Sequence, residues 1–248
     1  MAIAGKLSPY MAILVLLPSR DAARRSEARG ATVSFIDPGK EHLLVTCGHV
    51  VEAFNKLRET EPDAVLAIGG GCGRQLVVVS DAEVRANGGK RLDLATLVLP
   101  DTGRITRAEK SYFRAEPWPP PRAEKGQIAV LAGCPGQHRV ISPRGLEVRI
   151  TAFCDFVMSV SDRGLSLADE GSARSRVAPI DGLKVLESVG GMSGSAVYVL
   201  DGNDYKLATA KLAGFLCEAS GGTHATLLAA HACFIRSDGT LDDGAMPW

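Results

Sequence analysis

The chain has 248 residues, 46% hydrophobic and 23% charged, enough sequence for a large core and ordinary for a globular protein. Twenty-eight basic residues balance 28 acidic ones, so nothing in the charge recommends nucleic acid or an anionic membrane as a partner. The six cysteines (Cys47, Cys72, Cys134, Cys154, Cys217 and Cys233) form no Cys-x-x-Cys pair, and neither a metal nor another cofactor is predicted.

The first predicted element is the apolar run Met11–Leu17, too short to span a bilayer. It ends in Pro18-Ser19-Arg20-Asp21 with no small-residue cleavage site, so it reads as a buried strand rather than a leader. The protein is therefore expected to be cytoplasmic, with free thiols. Strands follow at 31–36 and 42–46, then a short helix at 50–58 directly after His49, then strands at 64–68, 75–79 and 94–99. The glycine run 69–74 lacks a following Gly-Lys-Ser/Thr and reads as a hairpin turn, not a phosphate loop. Four prolines in Glu116-Pro-Trp-Pro-Pro-Pro-Arg122 remove backbone donors, which predicts a linker over 116–125 between halves 1–115 and 126–248. The second half continues with strands at 127–132 and 146–153, a polar surface excursion over 161–181, and strands at 195–200 and 211–216. Many short strands between turn signals predict an all-β sandwich or barrel.

Three segments carry chemistry. His49 stands in LLVTCGHVVEA between a strand and a helix, Asp93 opens the alternating apolar stretch DLATLVLP, and Ser193 lies in GGMSGSAVYV. A serine hydroxyl is a weak nucleophile until a base takes its proton, and flanking glycines leave that hydroxyl uncrowded. The order is His, Asp, Ser, with spacings of 44 and 100 residues. The nucleophile-elbow template fits badly, because it needs Gly-x-Ser-x-Gly and places the serine first, whereas Ser195 stands two after Ser193. Cys47 reads as a buried, inert thiol, and His42, His138, His224 and His231 show no ligand spacing.

In this order the segments resemble the trypsin-like (chymotrypsin-fold) serine peptidases, especially the bacterial, disulfide-free type. The matches are Thr46-Cys-Gly-His49, Asp93-Leu-Ala95 and Gly191-Met-Ser-Gly-Ser195, supported by AVLAGCPG at 129–136, Leu212-Ala-Gly-Phe215 and AHACFI at 230–235. The resemblance implies two packed antiparallel six-stranded β-barrels with few short helices, His49 and Asp93 in the first and Ser193 in the second. It implies a serine endopeptidase acting on polypeptides, with His49, Asp93 and Ser193 as the triad and the N–H groups of Gly191 and Ser193 as the oxyanion hole. It also puts Glu187, six before the serine, at the base of a pocket favouring Arg or Lys before the cut bond. The pocket wall would be Ala213, Gly214 and Phe215. Met192 replaces the acid that pairs with a new N-terminus in zymogen-activated members, so the site is expected to be preformed, or ordered by substrate or a regulatory protein partner. The rival reading keeps the fold and makes it a catalytically idle binding or scaffold subunit.

Overall fold

The computed structural model describes residues 3–19, 28–69, 76–142, 145–168, 190–200, 209–219 and 226–242. A one-turn helix α1 (Ile3–Leu7) leads into β1 (Met11–Leu17), β2 (Arg29–Asp37) and β3 (Leu43–Thr46). Then come α2 (Gly48–Thr60), β4 (Val65–Gly69), β5 (Leu76–Val78), β6 (Glu83–Asn87), α3 (Gly89–Leu92), β7 (Ala95–Val98), α4 (Gly103–Arg107) and β8 (Phe113–Arg114). These strands make one eight-stranded sheet in the order β5-β4-β1-β2-β3-β7-β6, with β8 pairing β2. The sheet is a half-barrel, because β5 and β6 end its hydrogen-bonded path.

The second half supplies β9 (Ile128–Gly133), β10 (Arg139–Ser142), β11 (Gly145–Val148), β12 (Thr151–Val160) and β13 (Gly164–Ala168). It ends with β14 (Ala196–Val199), β15 (Lys211–Ala219) and β16 (Thr226–His231). Six of them close a barrel, β12-β13-β16-β15-β14-β9, while β10 and β11 form a separate hairpin. That hairpin explains why β1 is apolar throughout rather than alternating. Ala12, Leu14 and Leu16 enter the first core, while Met11, Ile13, Val15 and Leu17 pack against Leu146 of β11 and against β4. Both faces are covered, as in buried strands generally.

β2 alternates in the ordinary way. Ala31, Val33 and Phe35 enter the first core, and Thr32, Ser34 and Ile36 face the second barrel. A shared core between the two halves joins Ile36, Leu43 and Val45 to Val130, Tyr198, Phe215 and Phe234. Each such fully buried large side chain contributes about 1.5–3 kcal/mol. The ends of the chain cross over: Leu7 joins that shared core, while Trp118 Nε1 donates to Ile235 O at 3.0 Å and Thr96 Oγ1 to Gly239 O at 2.5 Å.

Three expectations change. The polar stretch at 161–181 was expected to be a surface excursion, yet Gly164–Ala168 is a barrel strand, with Leu165 and Leu167 buried on its inner face; 169–189 lie outside the described residues. The strand expected over 146–153 divides at Arg149 and Ile150, since β11 pairs with β10 while β12 pairs with β9. The third concerns Asp93, which does not open its strand. It follows α3, in the left-handed conformation (φ 45°), and β7 begins at Ala95. Most of the glycine run 69–74 lies outside the described residues. No helix among the described residues is long and apolar enough to cross a membrane.

Candidate active site

His49 is the second residue of α2, where a helix leaves its first N–H groups without intrahelical partners. Asp93 reaches both groups of that residue. Its Oδ1 accepts from the His49 N–H at 2.8 Å and its Oδ2 pairs with Nδ1 at 2.7 Å. The carboxylate therefore caps the helix from another segment and fixes the ring in one stroke. The left-handed turn at Asp93, tied by its N–H to Gly89 O, aims the side chain back at α2.

The Asp93 hydrogen bond holds the His49 imidazole above its ordinary value of 6.5, against the opposing effect of burial. Protonated His49 thus stabilises the folded state below pH 6.5, and that contribution fades as the pH rises through the raised folded value. The imidazole is 53% exposed, so it is not a core histidine.

Ser193 belongs to a loop docked on the first sheet. Its carbonyl accepts from Thr32 N at 3.0 Å, and the following Gly194 N donates to Leu216 O at 2.7 Å. The Cys47 thiol, two residues before His49, donates to the same Leu216 carbonyl at 3.1 Å. The serine and histidine segments therefore converge on one oxygen of β15. The Ser193 hydroxyl makes no hydrogen bond to His49 among the described residues, a contact that commonly tightens only with substrate bound.

Five successive carbonyls of this loop are held. Gly190 O accepts from Gly136 N (2.6 Å), Gly191 O from Thr32 Oγ1 (3.0 Å), Met192 O from Ser195 N (2.9 Å), Ser193 O from Thr32 N and Gly194 O from Ser34 Oγ (2.8 Å). A trans peptide points its C=O and N–H in opposite directions. Fixing Gly190 O and Met192 O thus turns the N–H groups of Gly191 and Ser193 away from those anchors, and among the described residues neither N–H has an acceptor. Two free donors beside a half-buried serine are what a developing oxyanion needs.

Thr32 and Ser34 escaped the sequence reading, although they alternate on one face of an otherwise apolar strand. Both are fully buried and pair across the two halves. Gly194 shows how close that approach is. At φ +92°, its Cβ position lies 2.3 Å from Thr32 O and 2.9 Å from Thr46 Cα, both backbone atoms. Gly194→Ala is expected to undock the loop and lower stability by at least ~2 kcal/mol in urea unfolding. An unchanged midpoint would contradict this packing.

Cys47, His49 and Asp93 place ligand atoms within 4.8 Å of one another. They suit a metal poorly, because Nδ1 is engaged by Asp93 and burial pushes the Cys47 thiol well up, with Cys217 and Asp93 adding to it. The same shift makes Cys47 inert as a nucleophile. Among the described residues Cys47, Cys134, Cys217 and Cys233 are free thiols, and Cys72 lies outside the described residues.

One group of predicted site residues is corrected. Ala213, Gly214 and Phe215 are buried inside β15, and their stretch of strand is paired on both sides, with Val197↔Gly214 and Ala196↔Phe215 on one edge and Gly214↔His231 and Phe215↔Ala230 on the other. The ladder groups of Gly214 and Phe215 are taken and Ala213 packs in the core of the closed barrel, so they are a core strand and not a pocket wall. Glu187 lies outside the described residues.

No family model and no curated protein matches the chain. Among solved structures, the thermostable serine protease AL20 from an extremophilic microorganism superposes with a TM-score of 0.54 at 10% identity, covering 90% of this chain and 91% of its own. The fold is chymotrypsin-like. A second structure, described in connection with the Sesbania mosaic virus VPg protein, has a TM-score of 0.46 and 13% identity over 89% of this chain and 91% of that one. Within the chymotrypsin-like fold, His49 and Asp93 come from the half-barrel and Ser193 from the loop entering β14 of the closed barrel.

Proposed function

We propose that the chain is a serine endopeptidase using His49, Asp93 and Ser193. The observation that carries this reading is the pairing of a doubly anchored His49–Asp93 dyad with a docked serine loop whose Gly191 and Ser193 N–H groups have no acceptor among the described residues. Ser193 Oγ attacks the peptide carbonyl while His49 takes its proton, and the oxyanion is received by the two N–H groups. His49 then returns the proton to the leaving amine, and water cleaves the acyl-enzyme by the same route. An idle site would turn the Gly190 carbonyl toward the incoming oxygen; its bond to Gly136 N argues for a working one.

Because Met192 is buried apolar core and the loop is held by carbonyl anchors, the reading requires no cleavage to create a new N-terminus. A preference for Arg or Lys before the cut bond, through Glu187, belongs to the same proposal, as does a regulatory protein partner that tunes a site already competent alone. The test is a mixed peptide library read by mass spectrometry, with Ser193→Ala as the control for contaminating proteases. Cuts made by wild type alone support the proposal, and their sequences decide the basic preference. A library left intact by wild type refutes it.

His49 must be neutral to act as a base, so kcat/KM is expected to rise with pH through a midpoint above 6.5. A pH–rate profile with its acidic midpoint at or below 6.5 would contradict that assignment.

A further inference from the structure

We propose that Arg139, at the start of β10, is the positioning residue of the oxyanion loop, a role that rests on the peptidase reading above. Its Nη2 donates to Gly191 O at 3.1 Å and to Cys134 O at 2.6 Å, and Nε donates to Cys134 O at 3.2 Å. No carboxylate pairs with it among the described residues, and burial pulls its pKa down from the ordinary guanidinium value. A half-buried cation is expensive unless its donors are satisfied. Here main-chain carbonyls, not an acid, satisfy them.

The guanidinium lies between two glycines from the two halves. A Cβ on Gly30 of β2 would stand 2.6 Å from Nη1, and one on Gly191 would stand 2.0 Å from Nη2, so a side chain at either glycine would displace the guanidinium from this seat. Gly191 itself is in the left-handed region (φ +91°), which glycine adopts without strain. Arg139 therefore grips the peptide immediately after the Gly191 N–H, while Gly136 N grips the one before it. With Met192 sunk in the apolar core, no acidic side chain at that position holds the loop from inside, and the Arg139 fork holds it from the carbonyl side. Its second anchor, Cys134 O, belongs to the segment whose Cys134 N–H donates to Thr32 Oγ1, so the same arginine joins the loop to the Thr32 clamp. A lysine could not span both carbonyls with one planar group.

The experiment compares wild type, Arg139→Ala, Arg139→Met and Arg139→Lys by the rate of fluorophosphonate labelling, kcat and KM on a peptide that wild type cuts, and melting temperature. Arg139→Met is expected to slow labelling and kcat by on the order of 10²-fold with KM little changed. Added ethylguanidinium should restore part of the loss in Arg139→Ala, a response that a purely structural role would not give. Wild-type labelling and kcat in Arg139→Met overturn the proposal while leaving the peptidase reading intact. An unlabelled wild type overturns both. If Arg139→Met does not fold, Arg139→Lys decides: slower labelling at a preserved melting temperature supports the role, and the wild-type rate overturns it.

Discussion

Ser193→Ala is expected to reduce peptide turnover by on the order of 10⁶-fold while leaving the melting temperature unchanged. The two halves of this expectation have separate physical origins. The loss of rate comes from removing the oxygen that forms the acyl bond, after which His49, Asp93 and the free N–H groups have nothing to activate. The unchanged stability comes from the way the loop is held: Ser193 is fastened by its carbonyl to Thr32 N, and its hydroxyl pairs with no protein group among the described residues. Steady-state hydrolysis of a library-derived peptide, with a thermal melt on the same sample, tests both halves. A variant retaining a tenth of wild-type activity would remove Ser193 from the mechanism.

Asp93→Asn is expected to cost about 10⁴-fold in kcat, and unlike Ser193→Ala it should also loosen the fold. The carboxylate accepts from two donors of one residue, the backbone N–H and Nδ1–H of His49. An asparagine offers one acceptor oxygen and one donating nitrogen. If the oxygen serves the backbone, the NH₂ faces Nδ1 and selects the tautomer with its proton on Nε2, where the serine proton must be received. If the oxygen serves the ring, the first turn of α2 loses its cap, at about 1 kcal/mol. Either arrangement also withdraws the carboxylate charge behind the hydrogen bond that raises His49, so the acidic midpoint of the rate profile should fall toward 6.5. Kinetics and urea unfolding on the one variant check all three consequences. A variant with unchanged kcat would make Asp93 a helix cap and nothing more.

What the sequence made legible follows from where local pattern and tertiary need agree. The run at 11–17, the alternation at 31–36 and the helix after His49 each carry a burial pattern strong enough to survive folding, and they appear as β1, β2 and α2. β13 was hidden because Ser, Asp and Arg surround two inward leucines, so composition outvoted a period of two. Asp93 was found by its neighbours, but its backbone was not: a left-handed residue ending a four-residue helix leaves no periodic trace. Thr32 and Ser34 read as ordinary strand residues, since their partners are carbonyls about 160 positions away in sequence. Ala213, Gly214 and Phe215 read as a pocket wall because an apolar strand looks the same whether it lines a cleft or is paired inside a barrel.

Every step proposed for this site requires Ser193 to be an activated nucleophile. Intact-mass measurement after exposure to a fluorophosphonate, on wild type, Ser193→Ala and His49→Ala, asks that question without knowledge of any substrate. One adduct on wild type, absent from both variants, is the predicted result. Folded wild type that takes up no adduct, or an adduct that survives in Ser193→Ala, would contradict it.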